Sequence, residues 1–297
     1  MSRDAARFPG PTASVMAVRE LLAEALRDRY SLEREIAQGG MATVYLARDL
    51  HDGQSVAIKV MLPKVATAIG AERFLREIAI ASSMAHPRIV PVHDSGNASG
   101  VLYYIMPYVE GDSLYARLER DRRLSLEDAL QITHDVASAL GYAHSRGVLH
   151  RDVKPENILL VGGRALVADF GLARAIGSAD YQKLTETGII IGTAHYMSSE
   201  QLLEDRELDQ RADIYSLGCI LYEMLSGEPP YTGASLTDLV RGILRAPVPS
   251  VRRLQASVPA TVDDAIGRAL AKSATARFST MQEFAAALPP PLLPSAP

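Results

Sequence analysis

The stretch HRDVKPENILLVGGRALVADFGLAR, residues 150–174, contains a readable hairpin. NILLV and ALVAD are strand-like, and Gly162-Gly163 between them is a tight-turn signal. Antiparallel pairing about that turn returns the end of the second strand to the start of the first. Asn157 and Asp169 are therefore expected side by side. An amide oxygen and a carboxylate so placed are hard ligands suited to Mg²⁺. Asp152 and Lys154 lie just upstream on the same loop. A polar loop capping a hairpin explains one carboxylate. It does not explain two, with an amide and an ammonium, converging on one point.

Outward from this hairpin the chain changes character. Immediately before it, Ser125-Leu-Glu-Asp128 reads as a capping-box-like helix start. Ile132, Val136, Leu140 and Ala143 then form a stripe, and Gly147 ends the helix. Residues 209–226, 235–245, 261–271 and 280–288 predict further helices. The first hundred residues differ. Strand-like stretches at 30–37, 43–49, 55–62, 89–95 and 101–106 are interrupted by one strong helix. In it Phe74, Ile78 and Ala81 share a face, and it stops before His86-Pro87. Val18, Leu22 and Leu26 predict a short helix nearer the N-terminus, after a disordered Ala/Pro/Arg-rich start at 1–13. The expected class is α+β, a small β-rich lobe with one main helix followed by a larger α-helical lobe. The expected divisions are 1–28 for an extension, 29–107 and 108–288 for the lobes, and 289–297 for a proline-rich linker.

Composition narrows the function classes. The 297 residues are 47% hydrophobic and 22% charged, a globular balance. The net charge of −4 and the lack of a basic patch argue against nucleic acid as a partner. The single cysteine, Cys219, lies in the apolar run IYSLGCILYEML and reads as a buried helix residue. It excludes an intramolecular disulfide and fits a reducing compartment, so a cytoplasmic location is expected. No apolar run reaches the ~18 residues of a membrane span. The proline-rich end suggests the cytosolic, catalytic part of something longer and membrane-anchored.

A second stretch, EIAQGGMATVYLARD at 35–49, reads as strand, tight turn, strand. A Gly-x-Gly-x-x-Gly phosphate loop would place glycines at 37, 39 and 42, where this chain has Ala37, Gly39 and Ala42. Alone, the stretch reads better as an ordinary hairpin. Gly40 is expected to add conformational freedom in its turn.

Taken together these pieces resemble the protein-kinase family. HRDVKPEN matches His-Arg-Asp-x-x-x-x-Asn, and DFG follows at the expected distance. VAIK places Lys59 on the third strand, and Glu77 lies in the following helix. GTAHYMSSE, DIYSLG and Arg277 resemble later elements in the required order, so that the resemblance covers roughly residues 30 to 288. GGMATVYLA, HPRIVPVHDSG and LTETGIIIGTAHYMS resemble the bacterial serine/threonine kinases of the Hanks type.

The resemblance implies a two-lobed kinase fold, ATP with Mg²⁺ (or Mn²⁺) as cofactors, and protein substrates with Ser/Thr acceptors. Lys59 would hold the α- and β-phosphates, oriented by Glu77. Asp152 would accept the proton of the substrate hydroxyl, and Lys154 would neutralise the transferring phosphoryl group. Asn157 and Asp169 would hold the metal. Ala37, Gly39, Gly40, Val44, Ala57 and Ser113 would line the nucleotide. Adenine would dock on IMPYVEG, the segment joining the lobes, with Met106 guarding the back of the pocket and the Pro107 carbonyl and Val109 amide reading the adenine edge. Lys154 and Thr193 favour Ser/Thr over Tyr as acceptor. Thr185 and Thr187 match positions that relatives phosphorylate on themselves, with Arg151 as the phosphate's partner. Such trans-autophosphorylation would bring two copies together transiently.

The sequence departs from the pattern at Ala37 and Ala42, at SSE in place of Ala-Pro-Glu, and at Ala274. Glu200 is retained and is expected to pair with Arg277. A pseudokinase scaffold would lack Lys59, Asp152 or Asp169. A small-molecule phosphotransferase would lack the long segment ending in GTAHYMSSE.

Overall fold

Alternating apolar residues build an antiparallel sheet in the first hundred residues. The computed structural model describes residues 15–170, 193–203, 205 and 207–291. The expected disordered start, Thr185, Thr187 and all but the first residues of the proline-rich tail lie outside them. The chain divides into two compact units. One takes the described residues up to Ala85 with Val90–Val109. The other takes His86–Ile89, Glu110–Phe170 and the described residues from Thr193 on.

In the first unit, β1 (Tyr30–Gln38), β2 (Ala42–Asp49), β3 (Ser55–Met61), β4 (Asp94–Ala98) and β5 (Val101–Pro107) form one sheet in the order β1-β2-β3-β5-β4. Every pairing is antiparallel. Helix α1 (Val15–Leu26) lays Val18, Leu22 and Leu26 into a core with Tyr30, Tyr45, Val56, Ile58, Val60 and Ile105. Short α2 (Pro63–Ile69) starts on Pro63, whose missing N–H costs nothing in the first turn. Gly70, at φ 77°, separates it from α3 (Ala71–Ser82). Helix α3 buries Phe74, Glu77, Ile78 and Ala81.

The strand expected at 89–95 begins only at Asp94. Pro91 has no N–H to give a ladder, and the ladder with β5 starts at the pair Asp94–Ile105. Ile89 belongs to the second unit, where it forms an isolated parallel bridge with Val167. Gly39 and Gly40 both keep φ outside the left-handed region. The Gly39 N–H closes the β1–β2 turn on the Ala42 carbonyl at 2.9 Å.

The second unit is mainly helical. It comprises β6 (Asp112–Ser113), α4 (Leu114–Asp121), α5 (Leu126–Ser145), β7 (Ile158–Val161), β8 (Arg164–Val167), α6 (Ser199–Leu202), α7 (Arg211–Ser226), α8 (Leu236–Arg245), α9 (Ala260–Ala269) and α10 (Met281–Ala286). The strands form a small sheet in the order β6-β7-β8. Ser125 Oγ caps α5 by accepting from Asp128 N at 3.0 Å. The reciprocal half of a capping box is replaced by an ion pair of Asp128 with Arg117 at 3.0 Å. Gly147, at φ 72°, follows the helix end as expected. Helix α7 is buried almost all round, Cys219 with it, and burial pushes that thiol well above its ordinary range. Among the described residues no helix is long and apolar enough to cross a membrane.

Candidate active site

The loop between α5 and the hairpin is pinned from below by a single buried carboxylate. Asp213, in the first turn of α7, accepts from the backbone N–H of His150 at 2.9 Å and of Arg151 at 2.8 Å. Its Oδ2 also lies 2.7 Å from His144 Nε2. Burial alone would raise the Asp213 pKa, but His144 and His150 outweigh it and hold the carboxyl below its usual range. The Arg151 carbonyl accepts from Gln201 Nε2 at 2.8 Å. Arg151 sits at φ 66° and Asp169 at φ 68°. This left-handed conformation is uncommon for residues other than glycine and concentrates at functional sites.

His150 ties this loop to the hairpin. Its ring is fully buried, with Nε2 donating to the Ala168 carbonyl at 2.9 Å and Nδ1 accepting from Asp152 N at 3.2 Å. Those two bonds select the neutral Nε2–H tautomer. Phe170 stacks edge-on against the ring at 4.6 Å.

Asp152 is thereby held at the mouth of a polar cluster. Its Oδ2 lies 2.9 Å from Lys154 Nζ and accepts from Asn157 Nδ2 at 3.2 Å. Its Oδ1 is buried and has no hydrogen-bond partner among the described residues. A buried carboxylate oxygen without a donor is costly, and it keeps its acceptor capacity open. Burial works against the charge on Lys154, but Asp152, with Glu156 and Asp169 behind it, keeps that ammonium above the ordinary lysine range.

The hairpin pairs in the register Ile158–Val167 through Val161–Arg164, with Gly162 and Gly163 both at positive φ, as a two-residue turn demands. One step beyond the ladder, Ala168 N donates to the Asn157 carbonyl at 2.9 Å. This pairing brings Asp169 back to the start of the hairpin, where the glycine turn predicts it. Asn157 Nδ2 also donates to the Asp152 carbonyl at 2.9 Å, which commits the amide nitrogen and leaves Oδ1 as the atom for a cation. Among the described residues no group of three or more His, Cys, Asp or Glu could hold a metal. One carboxylate and one amide suit an ion that takes its remaining ligands from phosphates and water.

In the first unit the expected nucleotide residues share neighbouring strands. Ala37 pairs with Val44, Val44 with Lys59, and Ala57 with Met106. Lys59 is half-buried between Ile58 and Val60, both sealed in the core. Glu77 is buried on α3. Pro107 ends β5 opposite Val56, and Tyr108 N donates to Ser55 O at 3.1 Å, which fixes the chain just before Val109. Ser113 belongs to the second unit, where its Oγ caps α4 by accepting from Ala116 N at 3.1 Å.

Sequence reasoning missed His144, Gln201 and the anchoring role of Asp213. The last carried a signal, a charge opening the apolar DIYSLG run. The departure at SSE is structurally quiet. Ser198 makes a full capping box with Gln201 for α6, and Ser199 Oγ donates to the Lys272 carbonyl at 2.9 Å.

Residues 30–287 match the family model described as "Protein kinase domain". The chain is 40% identical over 270 residues to serine/threonine-protein kinase PknB of Mycobacterium leprae, covering 89% of this chain and 43% of that protein. It is 39% identical over 275 residues to serine/threonine-protein kinase PknJ of Mycobacterium tuberculosis, covering 90% and 46%. The chain thus spans less than half the length of these curated relatives. A crystal structure of the Mycobacterium tuberculosis PknI kinase domain is similar with a TM-score of 0.67 and 31% identity, covering 87% of this chain and 94% of that one.

Proposed function

The chain belongs to the protein kinase domain family, and on that premise we propose that it transfers the γ-phosphate of ATP to Ser or Thr of protein substrates, its own activation segment included. The family uses ATP and a divalent metal. Mg²⁺ is the proposed ion, with Mn²⁺ as its substitute. The observation that carries the reading is the Asp152 carboxylate, held by Lys154 and Asn157 through one oxygen and presenting the other without a partner among the described residues.

In this reading Asp152 takes or orients the hydroxyl proton of the acceptor. Lys154 offsets charge on the phosphoryl group in flight. The Asn157 amide oxygen and the Asp169 carboxylate hold the metal, which when bound neutralises phosphate charge. Lys59, oriented by Glu77, holds the α- and β-phosphates. The turn at Gly39 and Gly40, with Ala37, Val44, Ala57 and Ser113, lines the nucleotide. Met106, Pro107 and Val109 receive adenine. Catalysis then comes mostly from positioning and electrostatics. Arg151 is the proposed partner for a phosphate on Thr185 or Thr187. A reducing, cytoplasmic setting fits the lone buried cysteine.

Incubation with Mg-ATP followed by phosphopeptide mapping tests the reading. Phosphate on Thr185 or Thr187 in the wild type, and none in Asp152→Asn, is the expected result. An unmodified wild type that also leaves a general Ser/Thr substrate untouched sinks it.

A further inference from the structure

We propose that Asp135 is a positioning residue for the metal-holding pair at the open end of the β7–β8 hairpin, an inference that rests on the roles assigned above to Asn157 and Asp169. Asp135 falls on the buried side of α5, beside Ile132, Val136 and Ala139, where an apolar side chain would be expected. Its side chain is only 4% exposed. Oδ2 accepts from Arg164 Nε at 2.9 Å and from Ala165 N at 3.0 Å. Oδ1 accepts from Arg164 Nη2 at 2.6 Å and Gln131 Nε2 at 3.2 Å, and lies 3.4 Å from Arg88 Nε.

A carboxylate buried against partly exposed arginines is a poor stabiliser compared with apolar packing; the best-attested use of such a charge is to select one arrangement over its neighbours. Here the arrangement is the register of the hairpin. The two-residue Gly162-Gly163 turn sets the register but brings no side chain to hold it in place. Asp135 supplies what the turn lacks. It clamps Arg164 and Ala165, the first two residues of β8. Through Arg88 it also reaches the far end of the strand, where Val167 N donates to the Arg88 carbonyl at 2.8 Å and Ile89 bridges to Val167. One residue further on, Ala168 meets Asn157 and His150. A slip of one residue would turn every side chain of β8 to the opposite face and part Asp169 from Asn157.

Groups hydrogen-bonded directly to metal ligands typically change metal affinity by about 10–100-fold when altered, and Asp135, which acts through β8, belongs at the low end of that range. The test uses the whole chain with a non-hydrolysable ATP analogue and Mn²⁺ as the probe, its binding read by electron paramagnetic resonance well below the melting temperature of each variant. Asp135→Asn is expected to weaken Mn²⁺ by ~10-fold, with the affinity for the metal-free analogue unchanged. Arg164→Gln, whose side chain is 47% exposed in the wild type, should shift Mn²⁺ in the same direction by less. A lowered melting temperature with Mn²⁺ affinity at the wild-type value would make Asp135 structural only and overturn the proposal. If Asp135→Asn does not fold, Arg164→Gln decides, and wild-type affinity there is equally fatal. A wild type that binds no Mn²⁺ with the analogue overturns the assignment of Asn157 and Asp169, and this inference with it.

Discussion

Arg277 grips Glu200 with both arms of its guanidinium, Nη1 at 2.6 Å from Oε1 and Nη2 at 2.9 Å from Oε2. The arginine side chain has no exposed surface, and its remaining donors go to the carbonyls of Ala271, Arg211 and Lys272. Residues far apart in sequence are thus joined by one side chain. Removing it leaves the Glu200 carboxylate without its cation and takes a donor from three carbonyls.

Arg277→Ala is therefore expected to destabilise the protein by about 3–5 kcal/mol, the usual cost of breaking a buried pair from one side. Urea unfolding followed by circular dichroism measures it. Glu200→Gln should cost less, since an amide oxygen still accepts one bond. A loss below ~1 kcal/mol for Arg277→Ala would mean that the pair behaves like an exposed one.

Asp152→Asn should cut phosphotransfer by ~10²–10⁴-fold or more while leaving nucleotide binding near the wild-type value. The amide keeps the size of the carboxylate and can still accept from Lys154, so the loop should hold its shape. Single-turnover kinetics beside equilibrium binding of an ATP analogue separate the two quantities. More than half the wild-type rate in the variant removes Asp152 from the chemistry.

Glu223 gives a pH dependence whose sign can be worked out. Burial pushes its pKa from 4.5 to about 7, against the opposing hydrogen bond from the Tyr196 hydroxyl at 2.7 Å. Between those two values the folded protein holds a proton that the unfolded chain releases, so stability falls as pH rises through the window. Glu223→Gln should flatten that decline and raise stability at pH 8 by roughly 1–3 kcal/mol. Melting temperatures of both proteins at pH 5, 6, 7 and 8 check it. Parallel curves would show that Glu223 titrates normally.

At Gly39 the fold and the proposed function make different demands. A Cβ placed there would meet only the Ala42 carbonyl, at 3.8 Å, so Gly39→Val should fold nearly as well as the wild type. A phosphate lying over the turn would collide with the branched side chain, and KM for ATP should rise at least tenfold. Ala37→Gly should leave KM nearly unchanged. Ala42→Gly should too, though it costs about 0.5–1 kcal/mol, because Ala42 is a buried strand residue. An unchanged KM in Gly39→Val reduces the stretch to an ordinary hairpin.

The hairpin at 158–167 was legible because two local signals agreed: a pair of glycines and flanking runs of Ile, Leu, Val and Ala. The helices with strong stripes were legible for the same reason. Helix α4 was not, since LYARLERD is short, mostly charged and buries only Leu114 and Leu118. The strand at 94–98 was placed too early because Ile89, Val90 and Val92 are strand-like, while Pro91 and the bridge to Val167 decide otherwise. The polar residues of the loop before the hairpin were readable by type. Their fixation by Asp213, whose partners lie more than sixty positions away, was not.

Helix α1 has a practical consequence. The family match begins at residue 30, and a trimmed expression clone would naturally start there. That cut removes Val18, Leu22 and Leu26, and strips the cover from Tyr45, Val56, Ile58 and Val60. The trimmed protein would present a sticky, oily sheet to solvent and self-associate. Cloning from Val15 or earlier should give monodisperse material where cloning from Tyr30 gives aggregate, and size-exclusion chromatography of the two would show it.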